Sequence, residues 1–457
     1  MNHLRSTRAG VNNSSGVNRE VSSFLGIRYA ELSHGRRFDP SIPVELTDQL
    51  TEQASFLTTG DIPVFPQLPF RLAPCLGVPA GDYPQCEDAF FLNVSVPANA
   101  ADVPVLVFVH GGAWVSGGGT YGWYRGERLA AEGICVVTVN YRLHAGGLLT
   151  EDSSHLPLKD LTLALRWVQQ NIDRFGGDPA NVTLAGHSAG GWYVHALAQD
   201  PGLQGTFRRI ALWSMATRTP WPSQLMSTIA EGVRKRLGTD DLATPRSRLL
   251  MATALSVSAH CRDEYFGPAH LGYSPPALLP AVAPNLAADF LEPEKSAAKL
   301  IVDQVLLRVT THETGIFFAS SDREVNATHA QADQLLEEWV PAEDRALIPE
   351  HFWQTMIDTG QTPFQRVRTI SSWMQFQRLA YQLAGTYAQA GKSVQLHEFT
   401  FTSPNQALGA SHCFDLPFQF NNRDQWSTAP MLNEIPNIDF DRAGHGAVQD
   451  LLRFMTS

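Results

Sequence analysis

Two periodicities run along this chain, and the points where one gives way to the other outline its elements. Pro104 to Val109 (PVLVFV), Ile134 to Val139 (ICVVTV), Val182 to Ala185, Ile210 to Trp213 and Gln304 to Val309 (QVLLRV) are apolar runs. Their length and make-up are those of strands buried on both faces of a sheet. Between them the period changes: Leu161, Ala164, Leu165, Val168 and Ile172 mark a helix over Asp160 to Phe175 that ends at Gly176-Gly177. Further helices are predicted near Arg125 to Glu132, directly after Ser188, over Trp373 to Tyr387 and from about Gly446 to Phe454. This alternation predicts an α/β fold, a mostly parallel central sheet with right-handed crossovers and flanking helices. Ser23 to Ala30 and Ala89 to Val96 read as strands near the first edge, and Val394 to Phe401 as a late strand. Residues 1–20, rich in Asn, Ser, Gly and Arg, read as a loose tail. Residues 21–457 read as one domain, with helical insertions at about 220–300 and 325–390 over the sheet.

Composition changes this picture little. With 457 residues, 44% hydrophobic and 17% charged, the chain is globular. A net charge of -11 argues against nucleic acid or an anionic membrane as the main partner. No stretch approaches the roughly 20 apolar residues of a membrane span, and the first residues lack the apolar core of a secretory signal. Cys75, Cys86, Cys135, Cys261 and Cys413 are odd in number and show no metal-ligand spacing, which points to a reducing cytoplasm. The expectation is a cytoplasmic monomer or weak oligomer acting on a small molecule, with no metal and no cofactor.

The stretch Asn181 to Asp200 carries the chemistry. A short apolar strand runs into Gly186-His187-Ser188-Ala189-Gly190 and then into an amphipathic helix. That is the arrangement of a nucleophile elbow, where a sharp turn lifts one hydroxyl above the end of a sheet. Flanking glycines suit a turn whose backbones approach too closely for a Cβ. A serine hydroxyl needs a base, and the base needs an acid to orient it. In this fold class they follow in the order Asp or Glu, then His, each after a strand. Glu313, after Gln304 to Val309, and His412, after Val394 to Phe401, satisfy that order. His312, His397 and His445 compete as bases and Asp415 as acid. His110-Gly111-Gly112-Ala113-Trp114 follows the strand ending at Val109. It offers the amides of Gly112 and Ala113 which, with that of Ala189, make a candidate oxyanion hole.

These residues resemble the type-B carboxylesterases, the branch of the α/β-hydrolase fold that includes bacterial nitrobenzyl esterases and cholinesterases. FLGIRYA (24–30), EDAFFLNVSVP (87–97), HGGAW (110–114), VNYR (139–142), FGGDPANVTLAGHSAGG (175–191), HETGIFF (312–318) and SHCFDLPF (411–418) echo its motifs in order. The resemblance implies Ser188 as nucleophile, Glu313 as acid and His412 as base, with structural ion pairs Arg37–Glu87 and Arg142–Asp160. It departs at His187, where the family commonly has Glu. The positions of the cysteines that secreted members bridge are Phe65 and Ala89 here. Residues 65–89 hold no Trp, the residue that cholinesterase-like members use for quaternary ammonium, so a choline ester is not expected.

The activity so implied is ester hydrolysis through an acyl-serine. Trp114 beside the oxyanion loop, Trp221 in the region matching the family's acyl pocket, Phe317 near the acid, and His187 are the expected pocket walls. They suit a bulky uncharged or aromatic substrate. Carbamate or amide hydrolysis and acyl transfer use the same triad, and a non-catalytic binding protein can share the fold; sequence alone leaves these open.

Overall fold

The computed structural model describes residues 7–45, 59–81, 83–149, 155–239, 245–265, 271–274 and 277–457. Its strands are β1 Thr7–Asn12, β2 Asn18–Arg28, β3 Ala30–Leu32, β4 Ser41–Pro43, β5 Phe91–Pro97, β6 Val103–Val109, β7 Cys135–Val139, β8 Gly177–His187, β9 Arg209–Trp213, β10 Gln304–Thr310 and β11 Ser393–Phe399. β3 and β4 form a small separate pair; the others make one sheet in the order β1-β2-β5-β7-β6-β8-β9-β10-β11. From β1 to β7 the pairings are antiparallel, and from β7 to β11 they are parallel. The predicted parallel core is therefore present, with an antiparallel flank.

β6 shows why the run Pro104 to Val109 is apolar throughout. Val105, Val107 and Val109 pack into the core on one face of the sheet, and Leu106 and Phe108 into the core on the other. Each such side chain, fully buried, stabilises the fold by roughly 1.5–3 kcal/mol. Both expected insertions are largely helical. The first holds the helices Ser223–Leu237, Arg246–Tyr265 and Pro293–Lys299. The predicted Trp373 to Tyr387 helix is part of a longer one, Pro363–Ser372 and Arg378–Gln389, joined by a π-helical turn over Trp373–Gln377.

Two expectations are corrected. Residues 7–20 are not a loose tail but a hairpin that forms the sheet's edge, β1 pairing with β2 from Thr7↔Ser23 to Asn12↔Asn18. The polar composition belongs to its turn: Asn13 Oδ1 accepts from the Ser15 and Val17 amides at 3.1 and 2.9 Å, and Gly16 takes φ 79°. The final helix is Asn437–Thr456, starting earlier than expected. Gly444, which discourages a helical reading, is a packing position, since a Cβ there would stand 2.6 Å from Asn421 Oδ1.

Both implied ion pairs form. Arg142 donates to Asp160 through Nε at 2.8 Å and Nη2 at 2.5 Å, with the side chains 2% and 0% exposed. Leaving either charge alone would cost roughly 3–5 kcal/mol. Arg37 Nε meets Glu87 at 2.8 Å nearer the surface. Among the described residues no helix is long and apolar enough to cross a membrane.

Candidate active site

Ser188 sits between β8 and the helix Ala189–Leu197 with φ 54° and ψ −121°, backbone strain that costs a non-glycine residue roughly 1–3 kcal/mol. Neighbouring strands hold it there. Its N–H donates to Trp213 O at 2.9 Å, and its carbonyl accepts from Trp192 at 3.0 Å and Ala216 at 3.1 Å. The flanking glycines are required: a Cβ on Gly186 would lie 2.5 Å from Gly190 C, and one on Gly190 would lie 2.1 Å from Val109 O.

The elbow, the loop after β10 and the loop beyond β11 meet at one point. His412 Nε2 lies 2.8 Å from Ser188 Oγ, and His412 Nδ1 lies 2.7 Å from Glu313 Oε2. A carboxylate at Nδ1 keeps the proton on that nitrogen and leaves the Nε2 lone pair facing the serine. Glu313 is fully buried; its Oε1 accepts from the Thr310 amide at 2.8 Å and from Ser214 Oγ at 2.7 Å. The His412 amide donates to Glu313 O at 3.0 Å, which clamps the two loops together.

The competing residues are elsewhere engaged. Burial, then the charge of Glu313, raises the Asp415 carboxyl to about 6, and Gln419 Nε2 donates to it at 3.4 Å. His312 accepts from the Ala410 amide, and burial with Arg368 lowers its pKa to about 3. His397 packs beside Arg308 and Asp450, and His445 against Ser14.

The oxyanion loop is shaped by buried polar contacts. Tyr141 OH donates to His110 O at 2.7 Å, and His110 Nδ1 donates to Gly111 O at 2.6 Å. In a trans peptide this turns the Gly111 carbonyl one way and the Gly112 N–H the other. Gly112 takes φ 119° and Ala113 φ 53°. Neither amide has a protein acceptor among the described residues. Gly111 presses on the elbow, where a Cβ would lie 3.0 Å from Ser188 Cβ.

Ser188 opens on a cavity of about 480 Å³. Trp114, His187 and Phe317 line it as expected; Trp221 does not. The Trp221 amide donates to Pro280 O and its carbonyl accepts from Val282, both at 2.9 Å, and this bridge packs the indole into the main core. Walls that the sequence did not single out include Trp123 stacked flat on Trp426 at 4.5 Å, and Phe376, 4.7 Å from the His412 ring. Phe376 lies in the π-turn, whose extra residue no helical periodicity discloses. Ser214, the other unforeseen contact, follows β9 at the level of Ser188, and its place after a core strand was the available signal.

His187 is 1% exposed, with its ring 4.7 Å from that of His412. Burial, then the charge of His412, pushes its pKa well below the ordinary 6.5, and its Nε2 has no partner among the described residues. His187, His412 and Cys413 each place a nitrogen or sulfur within 4.8 Å of the others. Both His412 nitrogens are already engaged, so a cation there would compete with the Ser188 contact.

The family model described as the carboxylesterase family matches residues 7–429. A Rhodococcus erythropolis protein named probable N-octanoylanthranilate hydrolase is 30% identical over 441 aligned residues, covering 94% of this chain and 87% of the relative. The para-nitrobenzyl esterase of Bacillus subtilis is 30% identical over 424 residues, covering 88% and 80% respectively. A solved thermophilic PNB esterase superposes with a TM-score of 0.73 at 27% identity, covering 98% of this chain and 89% of that one. With this match over nearly its whole length, the chain belongs to the carboxylesterase family and is a carboxylic ester hydrolase of α/β-hydrolase fold.

Proposed function

We propose that Ser188, His412 and Glu313 carry out the ester hydrolysis, on substrates with a large apolar or aromatic part. The observation that carries this reading is the unbroken contact from Glu313 through His412 to Ser188, 2.7 and 2.8 Å, at the floor of an aromatic-walled cavity. His412 takes the Ser188 proton as Oγ attacks the ester carbonyl, and Glu313 holds the imidazolium that forms. The amides of Gly112, Ala113 and Ala189 receive the developing oxyanion. His412 then returns the proton to the leaving alcohol, and water repeats the attack to free the acid. His187 packs neutral beside the His412 ring, held so chiefly by burial. Free Cys75, Cys86, Cys135, Cys261 and Cys413 support a reducing, cytoplasmic setting.

A fluorophosphonate probe tests the assignment: mass spectrometry is expected to find it on Ser188, and labelling that survives Ser188→Ala would overturn it. In a panel of nitrophenyl esters, a preference for acetate over every larger acyl group would contradict the bulky substrate. Amide hydrolysis is the second reading, favoured by the Rhodococcus relative whose name denotes an acylated anthranilate.

A further inference from the structure

We infer that Arg218 recognises a carboxylate on the substrate, so the preferred ester joins one anionic group to its apolar part. This rests on the ester-hydrolase reading of Ser188 and replaces the expectation of an uncharged substrate.

The cavity is lined by two arginines, Arg71 and Arg218, and among the described residues by no Asp, Glu or Lys. A cation in apolar surroundings without a counter-charge is costly, and a substrate anion would supply one. Arg218 Nη2 donates to Ser274 O at 2.9 Å, Ser274 Oγ at 3.2 Å and Gln375 Oε1 at 3.3 Å. All three acceptors are neutral, so they orient the guanidinium and leave its charge unpaired. The face of the group lies over Tyr273, 5.2 Å from the ring centre. A guanidinium has five N–H donors in a fixed plane. Those on Nε and Nη1 have no protein acceptor among the described residues, and neither nitrogen is among the buried unpaired atoms. They remain accessible to a ligand, and each can donate a single charge-assisted hydrogen bond to a carboxylate oxygen.

The π-turn fixes this geometry relative to the chemistry. Gln375 Oε1 also accepts from Ser274 N at 3.1 Å and Oγ at 2.6 Å, while Gln375 O accepts from Thr217 Oγ1 at 2.6 Å. The next residue, Phe376, meets the His412 ring. One turn therefore holds both the anion site and a wall of the catalytic base, and π-turns recur where side chains must be re-aimed at functional sites. On the other side, Arg218 follows two residues after Ala216, whose amide donates to Ser188 O. Arg71 is exposed where it lines the cavity, and adds a second cation that steers anions inward.

The test uses pairs that differ in one group: 4-nitrophenyl valerate against mono-4-nitrophenyl glutarate, and 3-(butyryloxy)benzamide against 3-(butyryloxy)benzoate. The wild-type protein is expected to favour the carboxylate in at least one pair by roughly 10- to 100-fold in kcat/KM, the range for hydrogen bonds between charged groups. Arg218→Gln should bring that ratio close to one, and Arg218→Lys should leave an intermediate value. A neutral preference in both pairs, or a ratio that survives Arg218→Gln, overturns the inference. Turnover of none of the four would instead defeat the ester-hydrolase reading. Should Arg218→Gln fail to fold, competitive inhibition of the wild type by benzoate and benzamide decides, and benzoate binding no tighter than benzamide overturns it.

Discussion

His412 Nε2 stands 2.8 Å from Ser188 Oγ, and elsewhere in the fold His195 Nε2 stands 2.8 Å from Ser296 Oγ. The second pair also meets Tyr387, whose hydroxyl lies 2.7 Å from His195. His195, Ser296 and Tyr387 are fully buried, and none of them lines the cavity. His195 Nδ1 has no partner among the described residues, whereas the corresponding nitrogen of His412 faces Glu313. Ser296 lies within the helix Pro293–Lys299, while Ser188 is held at a left-handed turn above the sheet. The contact itself is ordinary packing chemistry. Access, an orienting carboxylate and unclaimed amides are what turn one of the two pairs towards catalysis.

The largest effect expected from this comparison is on rate. Ser188→Ala should lower kcat by roughly 10⁶ if the triad acts as a unit, with the urea midpoint little changed. Ser296→Ala should do the reverse: activity is kept, and the fold loses about 1–3 kcal/mol as His195 and Tyr387 lose a buried partner. Steady-state kinetics and urea unfolding on both variants check this, and a folded but inactive Ser296→Ala protein would break the distinction.

A smaller effect concerns pH. Chiefly through burial, His195 and His155 are held at about 3 and His110 and His144 at about 4. In the unfolded chain these rings titrate near 6.5. As pH falls below 6.5 the unfolded state takes up protons that the native state refuses. Stability is thus fully present above that pH and is lost toward pH 4. Each ring contributes up to roughly 1.4 kcal/mol per pH unit. The urea midpoint should fall between pH 7 and 5, and fall less in His195→Gln; a wild-type midpoint that does not move would contradict the neutral burial of these rings.

The Ser188 side of the comparison was legible in the sequence because its constraints are local or ordered. Gly186 is forced by a contact within the turn and Gly190 by the end of β6, and Glu313 and His412 follow strands whose apolar runs announce them. The same holds for Gly112 after β6. The rest depends on packing between distant segments. Phe376 and Gln375 reach the site only because a π-turn adds a residue to a helix that reads as regular. Trp221 has the composition of a pocket wall but is turned away by its bridge to residues 280–282. The His195 cluster carries no local signature, since its three members come from three separate helices. In the edge hairpin, turn residues outnumber the apolar positions that would have marked β1.

The central claim is that Ser188 alone carries the acyl group. Rapid-quench mass spectrometry during turnover of a nitrophenyl ester tests it directly. The account predicts an adduct of the acyl mass on the peptide bearing Ser188, appearing with the burst of nitrophenol. An adduct on any other residue, or a burst with Ser188 unmodified, would contradict it.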